Sequence, residues 1–268
     1  MMPEASQAST VSVSFAPAPG AAPLPRMIAA QTVAETRQLL RNGEQLLLTL
    51  VIPLLLLSML SLEPIVNFGT GVSRIDFMTP GIMALAVMST AFTSQAIATG
   101  FERRYGVLKR LGATPLSRGG LITAKTLTVV AVELLQAVLI LITGLIIGWR
   151  PHASAAAILT VPLLLLLGTA AFSGLALAMA GSIRAEATLA AANLVWFVLL
   201  GTGGVVFPLT KFPDGARHFF ELLPTGALST GLRSALAHGV AFPVGNTVTL
   251  LVWAVGAIAV AARVFRWE

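Results

Sequence analysis

Six stretches of mostly apolar residues, at about 45–62, 78–100, 120–148, 155–181, 188–207 and 244–263, run through the chain. In hydrocarbon every backbone N–H and C=O must be bonded within its own segment, so a helix of roughly 20 apolar residues is the natural unit. Only 10% of the 268 residues are charged, against about 25% in soluble domains. That is too little charge to coat a water-facing surface, and the mean hydropathy of +0.87 agrees. We therefore expect an all-α, polytopic membrane protein with six transmembrane helices. The first stretch holds Pro53 and the fourth Pro162, both tolerated in membrane helices. With no cysteine anywhere, disulfides, thiolate metal sites and Cys nucleophiles are excluded.

The formal net charge of +6 bears on membrane sidedness rather than on nucleic acid. An even number of spans puts both ends on one side. Arg26, Arg37, Arg41, Arg103, Arg104, Lys109, Arg110, Arg118, Lys125, Arg184, Arg263 and Arg266 then share that side, and Arg74, Arg150, Lys211, Arg217 and Arg233 face the other. The positive-inside rule makes the first side, with both termini, cytoplasmic. Residues 1–25 are rich in Ala, Ser and Pro with Glu4 as their one charge, so we expect a disordered tail. It has no basic start or apolar run of a secretory signal, and no cleavage is expected. The membrane domain is then 26–268.

Two flanking segments have two-faced patterns. Over 28–45, Ile28, Ala29, Thr32, Val33, Thr36, Leu39 and Leu40 share one arc and Gln31, Glu35, Arg37, Gln38 and Arg41 the other. That suits a helix in the membrane interface, with Gly43 turning into the first span; a plain extension of that span is the alternative. Between spans two and three, Val107, Leu108 and Leu111 form an apolar stripe among Arg103, Arg104, Lys109 and Arg110. Positive-inside anchoring accounts for the charges but not for the stripe, which a groove on another protein would take.

Glu102-Arg103-Arg104-x-Gly106-x-x-Lys109-Arg110-Leu111-x-Ala113-Thr114-Pro115-Leu116 resembles the corresponding loop of ABC-2 type permeases, most nearly the daunorubicin/antibiotic-exporter branch. A second patch agrees: Gly204-x-x-Phe207-Pro208-Leu209, Phe212-Pro213, Leu223-Pro224-Thr225 and Leu232-Arg233. The likeness covers nearly the whole chain from residue 27. It implies the membrane subunit of an exporter in a bacterial plasma membrane. Residues 28–43 would be an interfacial connecting helix and 101–112 a coupling helix on an ATPase subunit, with Glu102, Arg103, Arg104, Val107, Leu108 and Leu111 as its contacts. Between spans five and six the likeness implies an external re-entrant hairpin carrying Phe207, Pro208, Pro213, Pro224 and Arg233; from the residues alone an external loop is the alternative. The chain has no G-x-x-x-x-G-K-[ST], so ATP and Mg belong to a partner ATPase and this chain binds no cofactor of its own. A second permease chain and membrane lipids complete the expected partners, and the cargo is an amphipathic drug, antibiotic or lipid-like molecule.

One acid, Glu133, stands inside a span. An acid at a helix centre costs about 2.5–3.5 kcal/mol on the insertion scale, so it either lines the translocation path or sits shallow and pairs with Lys125 or Arg184. Gln136 and Asn193 are expected to bond between helices, Gly144 and Gly148 to permit close helix approach, and Trp149 and Trp267 to anchor at the interface. No metal site is expected: His218-Phe219-Phe220-Glu221 has no second His beside it. Nor do paired acids or a Ser–His pair lie at bilayer depth, so an intramembrane enzyme is disfavoured. A self-contained channel or ion-coupled carrier is the remaining alternative, though no inverted repeat supports it.

Overall fold

The structure is a computed structural model, and it describes residues 20–62 and 73–264. Among these, all regular structure is helical: α1 (Leu24–Leu40), α2 (Gly43–Leu46), a π-helical turn (Leu47–Val51), α3 (Ile52–Leu62), α4 (Arg74–Val87), a second π-helical stretch (Met88–Ser94), α5 (Gln95–Arg104), α6 (Val107–Gly112), α7 (Arg118–Ile147), α8 (Ala157–Ser182), α9 (Ala185–Thr202), α10 (Asp214–Leu222), α11 (Pro224–Leu236) and α12 (Val244–Val264). Among the described residues five helices are long and apolar enough to cross a membrane: Arg74–Arg104, Arg118–Ile147, Ala157–Ser182, Ala185–Thr202 and Val244–Val264. The first apolar stretch forms the shorter helix Thr49–Leu62. Helix α1 begins at Leu24, inside the stretch expected to be tail; residues 1–19 and Trp267 lie outside the described residues.

Burial differs sharply among the long helices. Arg74–Arg104 is the innermost, packed by α3, α7, α8, α9 and α11, and every residue from Phe77 to Val87 is buried. Helices α7, α9 and α12 leave most of their apolar surface open, as helices facing lipid or another chain do. The tightest seam joins α8 and α12. A Cβ on Gly174 would stand 2.7 Å from the Ala257 carbonyl carbon and 2.8 Å from the Ile258 nitrogen. Without a hydrophobic drive between helices in lipid, close backbone approach at small residues supplies the packing. Gly174→Ala should therefore cost about 1–3 kcal/mol, read as a lower melting temperature in detergent, whereas Gly256→Ala, with nothing within 4 Å of its added carbon, should not.

The basic end of the bundle carries a satellite core. Leu108, Leu116, Leu121, Leu177 and Ala261 pack together, with Met27, Ile28 and Leu111 against them. Helix α1 lies along α7, its Thr32 hydroxyl donating to the Ala124 carbonyl at 3.4 Å. Asn42 rather than Gly43 organises the turn that follows, its Oδ1 accepting from the Gln45 N–H at 3.2 Å as an N-cap does. At the other end Gly148 closes α7 with φ 107°, the left-handed conformation that favours glycine. Beside it Gly144 packs on Thr79 and Trp149. Gly148 thus acts as a cap, whereas Gly144 lies where α7 packs on α4 through Thr79, the close helix approach expected of it. Trp149 is buried in the core, not placed as an interfacial anchor.

Candidate functional site

The loop between α5 and α6 turns on Gly106, whose φ of 68° lets α5 stop and α6 start at an angle. Arg103 donates to the carbonyls of Ala180 (2.9 Å) and Ile183 (3.0 Å) at the end of α8, and Arg104 pairs with Glu186 at the start of α9. Both arginines thus tie the loop to neighbouring helices. The apolar stripe has an inward direction: Leu108 is 0% exposed, at the centre of the satellite core, and Leu111 packs partly buried beside it. Leu108 therefore offers nothing to a partner. Lys109 and Arg110 are the exposed charged residues of α6.

Glu102 is turned inward as well. Lys125 on α7, its side chain 5% exposed, reaches Glu102 Oε2 at 2.6 Å and Glu35 Oε1 of α1 at 3.2 Å. A charge this deep needs close partners to replace lost water, here two carboxylates, and the triad fastens α1 and α5 to α7 at one point. Charge distribution along the sequence places Lys125 among the loop cations of the basic side and Arg233 among those opposite. Both are buried, which removes one from each side and leaves the asymmetry as it was.

Above the triad the two π-helical stretches face each other across α7. Pro53 has no N–H to offer the Thr49 carbonyl four residues earlier, and Gln136 Nε2 supplies a donor instead at 2.6 Å. The Thr90 hydroxyl, in the second π stretch, donates to Gln136 Oε1 at 3.1 Å. Gln136 thus joins both irregular segments, as an interhelical bond was expected of it. Such π segments are frequent at functional sites. Asn193 bonds its own Leu189 carbonyl and is exposed, so it makes no interhelical bond among the described residues.

Two adjoining hollows lie at this junction. A polar pocket is bounded by Glu35, Gln45, Gln95, Thr99, Glu102 and Lys125. A groove of about 560 Å³ rises beside it along Ile52, Leu56, Leu85, Ile97, Trp196 and Phe197. Asn42, Gln45, Thr49, Ser94 and Ala98 belong to both walls. The groove is apolar with a polar floor, the lining an amphipathic molecule would fit.

Glu133 lies outside both. It accepts a hydrogen bond from Thr169 on α8, with Oε1 unpartnered among the described residues. Neither Lys125 nor Arg184 pairs with it, and the void beside it, about 10 Å³, holds no more than about one water. At the opposite end, Phe207 is exposed, Pro208 leads into a 3-10 turn, and Pro213 starts α10. Pro224 opens α11 and is buried. The two helices are unequal. Helix α10 buries no residue, whereas α11 packs against α4, α8 and α12. Arg233 points into that packing rather than into a loop. Its guanidinium carbon is 3.6 Å from the Phe77 ring centroid, and it donates to the carbonyls of Phe77 and Val205, each at 3.1 Å.

Neither Gln95 nor the π stretches follow from the sequence reading, and Lys125, offered there as a partner for Glu133, pairs instead with Glu35 and Glu102. One signal was available: Ser89, Thr90, Thr93, Ser94, Gln95 and Thr99 crowd polar groups into a single span.

No curated protein matches the chain. The family profile described as ABC-2 type transporter matches residues 28–237. That match runs from within α1 to just past α11, and takes in the triad, the groove, the basic loop and the buried Arg233: the chain belongs to the ABC-2 type transporter family.

Proposed function

We propose that the chain is the membrane subunit of an ABC exporter, carrying an amphipathic drug, antibiotic or lipid-like molecule out of a bacterial cytoplasm. The observation that carries this reading is the family match across the membrane domain. In it the apolar stretch at about 45–62 is the first of six spans, both termini are cytoplasmic, and α10–α11 form an external re-entrant hairpin. The apolar groove with its polar floor, rather than Glu133, is the cargo's path. A second permease chain, the same or a sister, closes the groove. ATP and Mg bind a separate ATPase that docks on the basic loop. Because Arg103, Arg104 and Glu102 are committed to neighbouring helices, a push on α6 reaches α8, α9 and the Lys125 triad together.

Docking rests on the exposed cations, so Lys109→Glu with Arg110→Glu should reduce co-purification of the ATPase about tenfold or more, while both exposed substitutions leave the melting temperature in place. Undiminished co-purification and ATP-driven transport would remove the coupling assignment. The second reading is a self-contained channel or ion-coupled carrier. Transport in vesicles that follows an ion gradient and ignores ATP would put it in place of the first.

A further inference from the structure

The polar pocket below the groove holds groups the fold leaves unsatisfied. Gln95, 6% exposed, has no hydrogen-bond partner on either its carbonyl or its amide among the described residues. Thr99, one turn further along the same helix and 1% exposed, has an unpartnered hydroxyl. Both line the pocket. A buried polar group without a partner costs about 1–3 kcal/mol, so an amide idle at both ends is unusual unless a bound molecule completes it.

The charge around these groups is one-sided. Two carboxylates, Glu35 and Glu102, meet one ammonium, Lys125, and among the described residues no other charged one lines the pocket. An anion would meet an excess of negative charge. A protonated amine would find carboxylate acceptors, the Gln95 carbonyl and the Thr99 hydroxyl. The groove begins at the shared wall of Gln45, Thr49 and Ser94 and runs away along Ile52, Leu56, Ile97, Trp196 and Phe197.

We propose that this pocket is a head-group site for amphiphiles bearing a protonated amine, with Gln95 as the residue that selects the head and the adjoining groove holding the apolar tail. That such a molecule is cargo rests on the exporter reading; that it binds does not.

Trp196 supplies a reporter on the groove wall. The purified full chain, in phosphatidylcholine nanodiscs without any ATPase, is titrated with terminally brominated dodecylamine and with terminally brominated dodecanol. Quenching of Trp196 is isolated by difference from Trp196→Phe. The amine should give a saturable signal with a half-saturation about tenfold below that of the alcohol. Gln95→Leu should raise the amine's half-saturation about tenfold and leave the alcohol's unchanged. It should not lower the melting temperature of the unliganded protein, because it removes an unsatisfied group. Gln95→Glu, which keeps the shape and adds charge, should tighten the amine, and this variant serves if leucine perturbs folding. Equal half-saturation of amine and alcohol, or an amine response indifferent to both Gln95 variants, would overturn the head-group site. Neither outcome touches the exporter reading, which stands or falls on ATPase co-purification and vesicle transport.

Discussion

Lys125→Met should destabilise the protein by about 3 kcal/mol and free α1 from the bundle. The ammonium lies between Glu35 and Glu102 at 3.2 and 2.6 Å, and methionine leaves two carboxylates facing each other with no cation between them. Breaking a buried ion pair by removing one partner costs about 3–5 kcal/mol, because the remaining charge stays desolvated. Side-chain exposures of 17% for Glu35 and 26% for Glu102 bring the expectation to the lower end of that range. The check is a detergent melting curve together with hydrogen exchange of the α1 amides, which should accelerate more than those of α8. Adding Glu35→Gln and Glu102→Gln to Lys125→Met should recover most of the loss, since a neutral cluster has no stranded charge. A single variant that melts within about 1 kcal/mol of the parent, with α1 protection intact, would show that the triad does not hold α1. In the exporter reading the same variant should keep the ATPase bound but lose most ATP-driven transport, because the basic loop then no longer pulls on α7.

The reach of the sequence ends where partners lie far apart in the chain. Span positions were legible because a bilayer demands long apolar runs, and Arg118–Ile147 and Val244–Val264 fall within a few residues of the expected bounds. The stripe of Val107, Leu108 and Leu111 was legible as an amphipathic pattern. Its direction was not, since periodicity says that a helix has an apolar face but not what covers it. Here Leu116, Leu121 and Leu177 of the same chain cover Leu108, and the exposed surface is left to Lys109 and Arg110. Pro53 announced a missing donor, but the amide that replaces it, on Gln136, is 87 positions away from the Thr49 carbonyl it bonds. The Lys125 triad draws on three helices for the same reason. Sequence alone offered Lys125 to Glu133 and Glu102 to a partner, and only the packing of α1, α5 and α7 joins them with Glu35. Loop counting also misplaced Arg233, because a proline-rich segment with several charges reads as wet while α11 is packed among α4, α8 and α12.

Arg233 is accordingly where a second large effect is expected. Its guanidinium stacks on the Phe77 ring and donates to two backbone carbonyls, those of Phe77 and Val205, at 7% exposure for the residue. No carboxylate pairs with it among the described residues, so carbonyl dipoles and a π face carry the charge. A desolvated cation–π contact is worth about 2 kcal/mol, and hydrogen bonds from a charged donor about 1.5–3 kcal/mol. These terms are not additive, and Arg233→Ala, which also opens a cavity, should cost about 4 kcal/mol. Arg233→Lys keeps the charge but not the planar fork that spans Val205 and Phe77, and should cost about 2 kcal/mol. Gly81 gives the arrangement its own control. A Cβ there would stand 2.6 Å from Arg233 Nη2 and 2.7 Å from the Val205 oxygen, so Gly81→Ala in the parent must displace the guanidinium. In an Arg233→Ala background that side of the collision is gone, and Gly81→Ala should cost at least about 1 kcal/mol less than in the parent. Equal costs in both backgrounds, measured by melting in detergent, would mean that the Val205 backbone alone sets the fit. A smaller cost in the variant assigns it to the arginine, and with it the junction between α11, the start of α4 and the turn after α9.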